Sequence, residues 1–486
     1  METKTITANA KIMHLGCKVG IDGYCKCISE PLKNGNEVNE TACVGPEADT
    51  GIIKANAHDI CNYVARYDMA NSQIQAIMKL DGKLDFDRLA KAVRLSVEAE
   101  PVLGCCLVKR SKPYWKRCDN FENVKFCFFE ETDNVDEAVQ RFLQEPLDLA
   151  NGPMLRVKLI RSNEYDTLGI KINHACSDAA GARDYIHLLS EIYCHMEQVS
   201  YDFIPKPKIR GKKEDYLLLE ALKNINSETA WGPQDLVTFP TWDFPWRNLK
   251  LGSTDFVICR LPEGYLDVMK NYGKARGATI NDLILTAIYR AMFELCNPPC
   301  NIPMDIPITI DLRRFLPDKK ADAIRNFSGG YVARIARKAG EPFEGTLSRV
   351  MSVTKIIKSS HPRAEIYRWA EFIEKMNFRW ICSYFKTEGK IFEMASYNPF
   401  FVIKKCVLTL SNFGFISKSL IKFGERVVTD AYIIPPVVRA PGILLVASTY
   451  NGVITLGVGY YKPSVKRIHM ETLLNKIRDE LVEGCR

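Results

Sequence analysis

The junction at residues 168–196 constrains this chain more than any other segment. Leu168, Ile170 and Ile172 alternate with Gly169 and Lys171, which reads as a strand. Asn173-His174-Ala175-Cys176-Ser177-Asp178 follows, a run of small and polar residues that suits a turn. Tyr185, Leu188, Leu189, Ile192 and Met196 then recur at helical spacing, so one face of a long helix is apolar. A period of two gives way to a period of 3.6 across a single turn, and such a unit needs a sheet beneath its helix.

The same grammar runs along the chain. Ile74, Ala76, Met78 and Leu80 predict a strand, and Phe86, Leu89, Val93 and Val97 a helix that Pro101 stops. Val102 to Val108 and Leu155 to Leu159 predict two more strands, with a helix marked by Val135, Val139 and Phe142 between them. After a segment rich in Pro, charge and Trp, a second series follows. Helices are predicted over about 263–276 and 279–293, strands over about 304–311 and 328–335, and further helices between 343 and 385. A strand is expected to end at Leu410, strands lie near 427–434, 442–449 and 453–460, and a helix over about 468–482 closes the chain. Asn451-Gly452 is the dipeptide of a two-residue hairpin turn.

This predicts an α/β (α+β) protein of two halves, each a mixed sheet with flanking helices, and a cleft or tunnel between them. The expected boundaries are 1–54 for a variable extension, 55–205 for the first half, 206–252 for a crossover linker and 253–486 for the second half.

Composition narrows the class further. The 486 residues are 47% apolar and 26% charged, which excludes a disordered, collagenous or coiled-coil chain. The net charge of +8 is mild for this length and, without a basic stripe, does not predict a nucleic-acid partner. No run of about 18 apolar residues is present, so no membrane span is expected. Residues 1–15 lack the apolar core of a secretion signal, from which a cytoplasmic location and free thiols for the 17 cysteines are expected. Cys17, Cys25, Cys27 and Cys43 fit no zinc template, and no metal is expected.

The candidate chemistry sits in the junction. His174 ends the strand, where backbone on both sides holds an imidazole that titrates near neutrality and serves as a general base. Asp178 stands where a helix N-cap belongs. The plain alternative is a core histidine followed by an ordinary capping aspartate. Cys176 reads as a small packing residue rather than an acyl-accepting nucleophile. His187 and His195 are carried away along the helix, and Gly457-x-Gly459 lies within a strand pattern, outside the strand–turn–helix setting of a dinucleotide fingerprint.

Several pieces in order resemble one superfamily. Asn173-His174-Ala175-Cys176-Ser177-Asp178-Ala179 resembles the His-His-x-x-x-Asp-Gly motif of the chloramphenicol-acetyltransferase-like superfamily. Its members include condensation domains of peptide synthetases, BAHD acyltransferases, wax ester synthases and alcohol acetyltransferases. Glu145-Pro146-Leu147-Asp148-Leu149 with Gly152-Pro153-Met154-Leu155-Arg156 resembles the segment before that motif. Gly277-Ala278-Thr279-Ile280-Asn281-Asp282 resembles a helix start of wax ester synthases, and Ile310-Asp311-Leu312-Arg313-Arg314 the strand and loop of the second half. Leu410-Ser411-Asn412-Phe413-Gly414 is similar to the Ser-Asn loop of alcohol acetyltransferases. Among the superfamily the stand-alone alcohol acetyltransferases and wax ester synthases are the expected nearest members.

The resemblance implies two subdomains and acyl transfer from a thioester to a hydroxyl or amine. His174 would be the base, and Asp178 the second motif residue. Asn173, Ser411 and Asn412 would support or hold the oxyanion. Acyl-CoA is the expected co-substrate, with no tightly bound cofactor, and the protein is expected to be a monomer. Lys319, Lys320 and Arg325 form a basic loop read either as a solvated face or as contacts to CoA phosphate or an acidic carrier protein. The chain departs from the pattern at Asn173 and Ala179, and Leu103-Gly104 replaces the family's Leu-Arg, whose Arg pairs with the motif Asp. Asp178 therefore needs another cation, Arg156 or Arg313. The rival expectations are a condensation-like domain fed by carrier-protein thioesters and a non-catalytic scaffold of the same fold.

Overall fold

A computed structural model describes residues 52–67, 71–149, 151–198, 206–208, 210–223, 242–359, 372–396 and 405–486. The readings made for residues 1–51, including Cys17, Cys25, Cys27 and Cys43, lie outside these residues. Two large sheets organise the rest. The first runs Lys422–Phe423, Arg426–Ile434, Gln73–Leu80, Asp166–Asn173, Leu155–Arg161, Cys127–Glu131. The second runs Ser328–Ala336, Pro303–Asp311, Lys405–Ile416, Gly442–Tyr450, Val453–Tyr461, Thr254–Arg260. A small third sheet joins Ile52–Lys54, Tyr114–Arg117 and Cys105–Val108. Mixed sheets with helices on their faces give the two-subdomain architecture expected.

The strand Asp166–Asn173 is buried along its whole length, because sheet neighbours flank it and helices cover both faces. The helices Phe86–Ala99 and Ala179–Gln198 pack together over the first sheet, burying Leu89, Val93, Tyr185 and Leu189 in one cluster. On the other face the helix Val135–Gln144 lays Phe142 against Gly169, where any added Cβ would come within 2.7 Å of the ring. A side chain at that position would push the helix off the strand that leads into His174.

Each half has its own apolar cluster, and a third joins them. Ile77, Phe142 and Ile160 of the first half meet Phe256, Ile434 and Val437 of the second. Ile434 ends the strand Arg426–Ile434, which leaves the second half to pair antiparallel with Gln73–Leu80. The boundary expected at 253–486 is thus crossed by one strand. Periodicity shows that a strand has a buried face and not which sheet buries it.

Asn451 and Gly452 both have positive φ, 46° and 81°, between strands paired through Tyr450 and Val453, as a two-residue hairpin demands. Thr279 caps the helix Ile280–Cys296, with Asp282 returning the bond to the Thr279 backbone. Residues 101–104 form a 3₁₀ turn rather than the start of a strand, which covers only Cys105–Val108. The strand expected to end at Leu410 continues to Ile416 through a bulge at Asn412 and Gly414, so Ser411 and Asn412 lie in a strand and not in a loop.

Candidate active site

The turn after Asn173 is fixed at both edges. The His174 N–H donates to Ser72 O at 2.6 Å, and Asn173 Oδ1 accepts from the Ala175 N–H at 2.8 Å. Ser72 itself has a φ of 51°, a left-handed conformation that turns its carbonyl toward the motif strand. His174 is therefore held by its backbone while its ring stays partly exposed. Its Nδ1 is enclosed without a hydrogen-bond partner. The Asn173 Nδ2 beside it is likewise buried and unpartnered.

Asp178 does different work. Its Oδ1 accepts from the Gly181 N–H at 2.9 Å, which is the N-cap bond of the helix Ala179–Gln198. Its Oδ2 accepts from the Phe327 N–H at 2.6 Å and from Arg313 Nη1 at 2.8 Å. Burial pushes this carboxyl up, but the Arg313 guanidinium and the backbone donors outweigh it and hold the pKa below the usual aspartate value. Both oxygens point into the protein, so Asp178 shapes the turn and has no free oxygen for the imidazole.

Of the two cations considered for Asp178, Arg313 reaches it, and Arg156 pairs with Glu145 at 2.6 Å. The Leu103-Gly104 departure has a steric side as well. A Cβ on Gly104 would come within 2.5 Å of the Phe121 ring and 2.6 Å of Val97, so no cation fits there and the second half supplies it.

A second layer lies beneath the turn, and sequence reasoning missed it. Asp59, wholly buried, accepts from Trp115 Nε1 at 2.9 Å, Arg210 Nη1 at 3.0 Å and Asn326 Nδ2 at 3.2 Å. Arg210 also donates to the carbonyls of Cys176 and Ile324, and Asn326 Nδ2 to Ala175 O at 3.0 Å. Arg210 comes from the crossover segment and Asn326 from the loop before Ser328–Ala336. Three distant stretches thus hold the underside of one turn.

The remaining expected residues fall apart. Ser411 Oγ accepts from Thr309 Oγ1 at 3.0 Å, and Asn412 bonds Asn281 at 3.4 Å and the Gly414 N–H at 2.9 Å, so their hydrogen bonds stay within the second half. Lys319 and Lys320 are exposed. Arg325 does not share that face. It is 2% exposed and paired with Glu214 at 2.6 Å and Asp215 at 2.5 Å, both from the helix Lys212–Lys223. Its place in the sequence suggested a basic loop, but the crossover helix draws it inward. Cys176 is fully buried and burial pushes its thiol up, which suits packing and not nucleophilic attack. A cavity of about 820 Å³ opens elsewhere in the second half, lined by Arg276, Thr279, Asp282, Glu344, Ser348 and Lys355, and none of the expected catalytic residues borders it. Among the described residues no group of three or more His, Cys, Asp or Glu could hold a metal ion.

The family model of the condensation domain matches residues 68–298. No curated protein matches the chain by sequence. Among solved structures, the TRI3 trichothecene 15-O-acetyltransferase from Fusarium sporotrichioides superposes with a TM-score of 0.64 at 12% identity, over 90% of this chain and 95% of that one. The first condensation domain of the calcium-dependent antibiotic synthetase, in complex with a substrate analogue, gives 0.64 at 12% identity over 89% and 97%. The epimerization domain from the third module of tyrocidine synthetase B gives 0.60 at 15% identity over 90% and 97%. At such identities the likeness is one of fold.

Proposed function

We propose that this chain, whose residues 68–298 match the condensation-domain family model and whose fold is that of the TRI3 acetyltransferase, is an acyltransferase of the chloramphenicol-acetyltransferase-like superfamily, moving an acyl group from a thioester, acyl-CoA, to a hydroxyl or amine acceptor with His174 as general base. One observation carries the reading. In a turn whose ionised groups are all paired inward, the His174 ring alone is left partly exposed, with an enclosed, unpartnered Nδ1.

An acyl thioester is already activated, so the step needs a base and an oxyanion donor rather than a covalent nucleophile. His174 takes the acceptor's proton as its oxygen or nitrogen attacks the thioester carbonyl. The tetrahedral oxyanion collapses, the carbon–sulfur bond breaks, and the imidazolium returns the proton to the thiolate. Acid–base help of this kind contributes about 10² to 10⁴ in rate. Asp178 acts through position: its three accepted bonds set where the turn, and so the ring, stands.

The test is thiol release from short- and long-chain acyl-CoAs with pooled alcohols and amines, comparing the wild type with His174→Ala. The expected loss in the variant is about 10² to 10⁴. A His174→Ala protein that keeps its activity on an established substrate pair would falsify the mechanism. A wild type that turns over carrier-bound thioesters and no acyl-CoA would move the donor to the carrier-protein class.

A further inference from the structure

The helix Phe378–Ser396 is apolar on two opposite faces. The inner face buries Phe378, Ile381 and Cys382 in the first half's core, with Phe378 6.0 Å from Tyr63. The outer face presents Trp380, Tyr384, Ile391 and Met394, which are 73%, 52%, 55% and 66% exposed. At 3.6 residues per turn these four lie within about 80° of arc, directly opposite the buried residues. They therefore share one face, with Thr387 standing between Tyr384 and Ile391. Single exposed apolar residues are ordinary on a protein surface, but several large ones on one face mark an interaction site.

Charge says what the stripe meets. Arg379, Lys386 and Lys390, all exposed, line one flank of it. Glu388, which accepts from the Tyr384 hydroxyl, is on the other flank. Just before the helix, Phe372 is 57% exposed and Lys375 is exposed too. Aromatic rings that favour the water–hydrocarbon boundary, set beside a row of cations, are the composition of a helix that lies in the plane of an anionic membrane. No helix among the described residues is long and apolar enough to cross a membrane, so contact would be peripheral.

We propose that the outer face of this helix docks the protein onto anionic phospholipid bilayers, with Trp380, Tyr384, Ile391 and Met394 in the headgroup–acyl boundary and Arg379, Lys386 and Lys390 on the lipid phosphates. The inference rests on surface chemistry and stands independently of the acyl donor.

The experiment is co-sedimentation of the full chain with phosphatidylcholine vesicles, with and without phosphatidylserine, at low and high salt. The wild type should bind vesicles containing phosphatidylserine and lose most of that binding in high salt. The pair Trp380→Ser and Ile391→Ser should weaken binding by about tenfold or more. The triple change Arg379→Glu, Lys386→Glu and Lys390→Glu should abolish the preference for the anionic lipid. Quenching of tryptophan fluorescence by brominated lipid, compared between the wild type and Trp380→Phe, reads the insertion without disturbing the fold. Absence of wild-type binding, or quenching unchanged in Trp380→Phe, overturns the proposal. So does a stripe that drives self-association or captures an acidic protein while leaving vesicles untouched.

Discussion

The front and the back of the turn 173–178 follow opposite rules. On the front, His174 is partly exposed, while its Nδ1 and the Asn173 Nδ2 are enclosed without partners. On the back, Asp178 pairs with Arg313 and Asp59 with Arg210, all four with side chains almost wholly buried. A charge removed from water costs several kcal/mol unless it is paired, so the back has no freedom to do anything except hold shape. A group that moves a proton needs the reverse, a lone pair not already committed to the scaffold. Chemistry and position are thus divided between two sides of one turn. The division explains why Asp178 belongs to the site without touching the imidazole.

The largest expected effect lies on the back. Arg313→Met leaves Asp178 buried beside an apolar chain, and breaking a buried pair this way costs about 3–5 kcal/mol. The urea midpoint should fall with an unchanged slope. His174→Ala should move the same midpoint by no more than about 0.5 kcal/mol while removing the activity. Equal losses of stability in the two variants would break the comparison. Acid sharpens it. The folded pKa of Asp178 is lowered, so its contribution is present above the ordinary aspartate value and fades as pH falls through the folded one. In Arg313→Met that acid-side fall should begin at higher pH.

A smaller loss is expected at Arg210. Arg210→Met removes charge-assisted bonds to Asp59 and to the carbonyls of Cys176 and Ile324, while Asp59 keeps Trp115, Asn326 and the Asn56 N–H. Hydrogen bonds to charged groups contribute about 1.5–3 kcal/mol, which is the expected range. Thermal or urea unfolding measures it. Activity should fall through KM and kcat together, since the turn is displaced rather than stripped of its base.

What was legible in the sequence divides along the same line. His174 and the capping role of Asp178 could be read because a strand–turn–helix is written in consecutive residues. Arg313 could be named as a partner because Gly104 left Asp178 without the family's cation. Arg210 and Asp59 could not be foreseen. They meet 151 positions apart, and Arg210 sits in a stretch of Pro and Lys that reads as surface. Arg325 misled for the same reason, since nothing near it in sequence announces Glu214 and Asp215. Ser411-Asn412 misled in the other direction. A polar pair reads as a loop, yet Thr309 satisfies Ser411 inside the sheet and Asn412 sits exposed at a bulge. Which strand joins which sheet was illegible at Arg426–Ile434, because pattern reports burial and not the partner.

The last expected effect is a slope rather than a single loss. Lys171, three residues before His174 on the same strand, is fully buried, and its ammonium donates to the carbonyls of Phe142 and Glu145. Burial, aided by nearby Arg156, pulls its pKa down to about 7. In the unfolded chain the group keeps its ordinary value of about 10.4. Between those values the unfolded state binds the extra proton, so stability rises with pH, by at most about 1.4 kcal/mol per pH unit. Below about pH 7 both states are protonated and this contribution is flat. Lys171→Met removes the titration, and a plot of unfolding free energy against pH should lose the rising limb above neutrality that the wild type shows. A wild-type curve already flat there would mean that the two carbonyls compensate the buried charge fully.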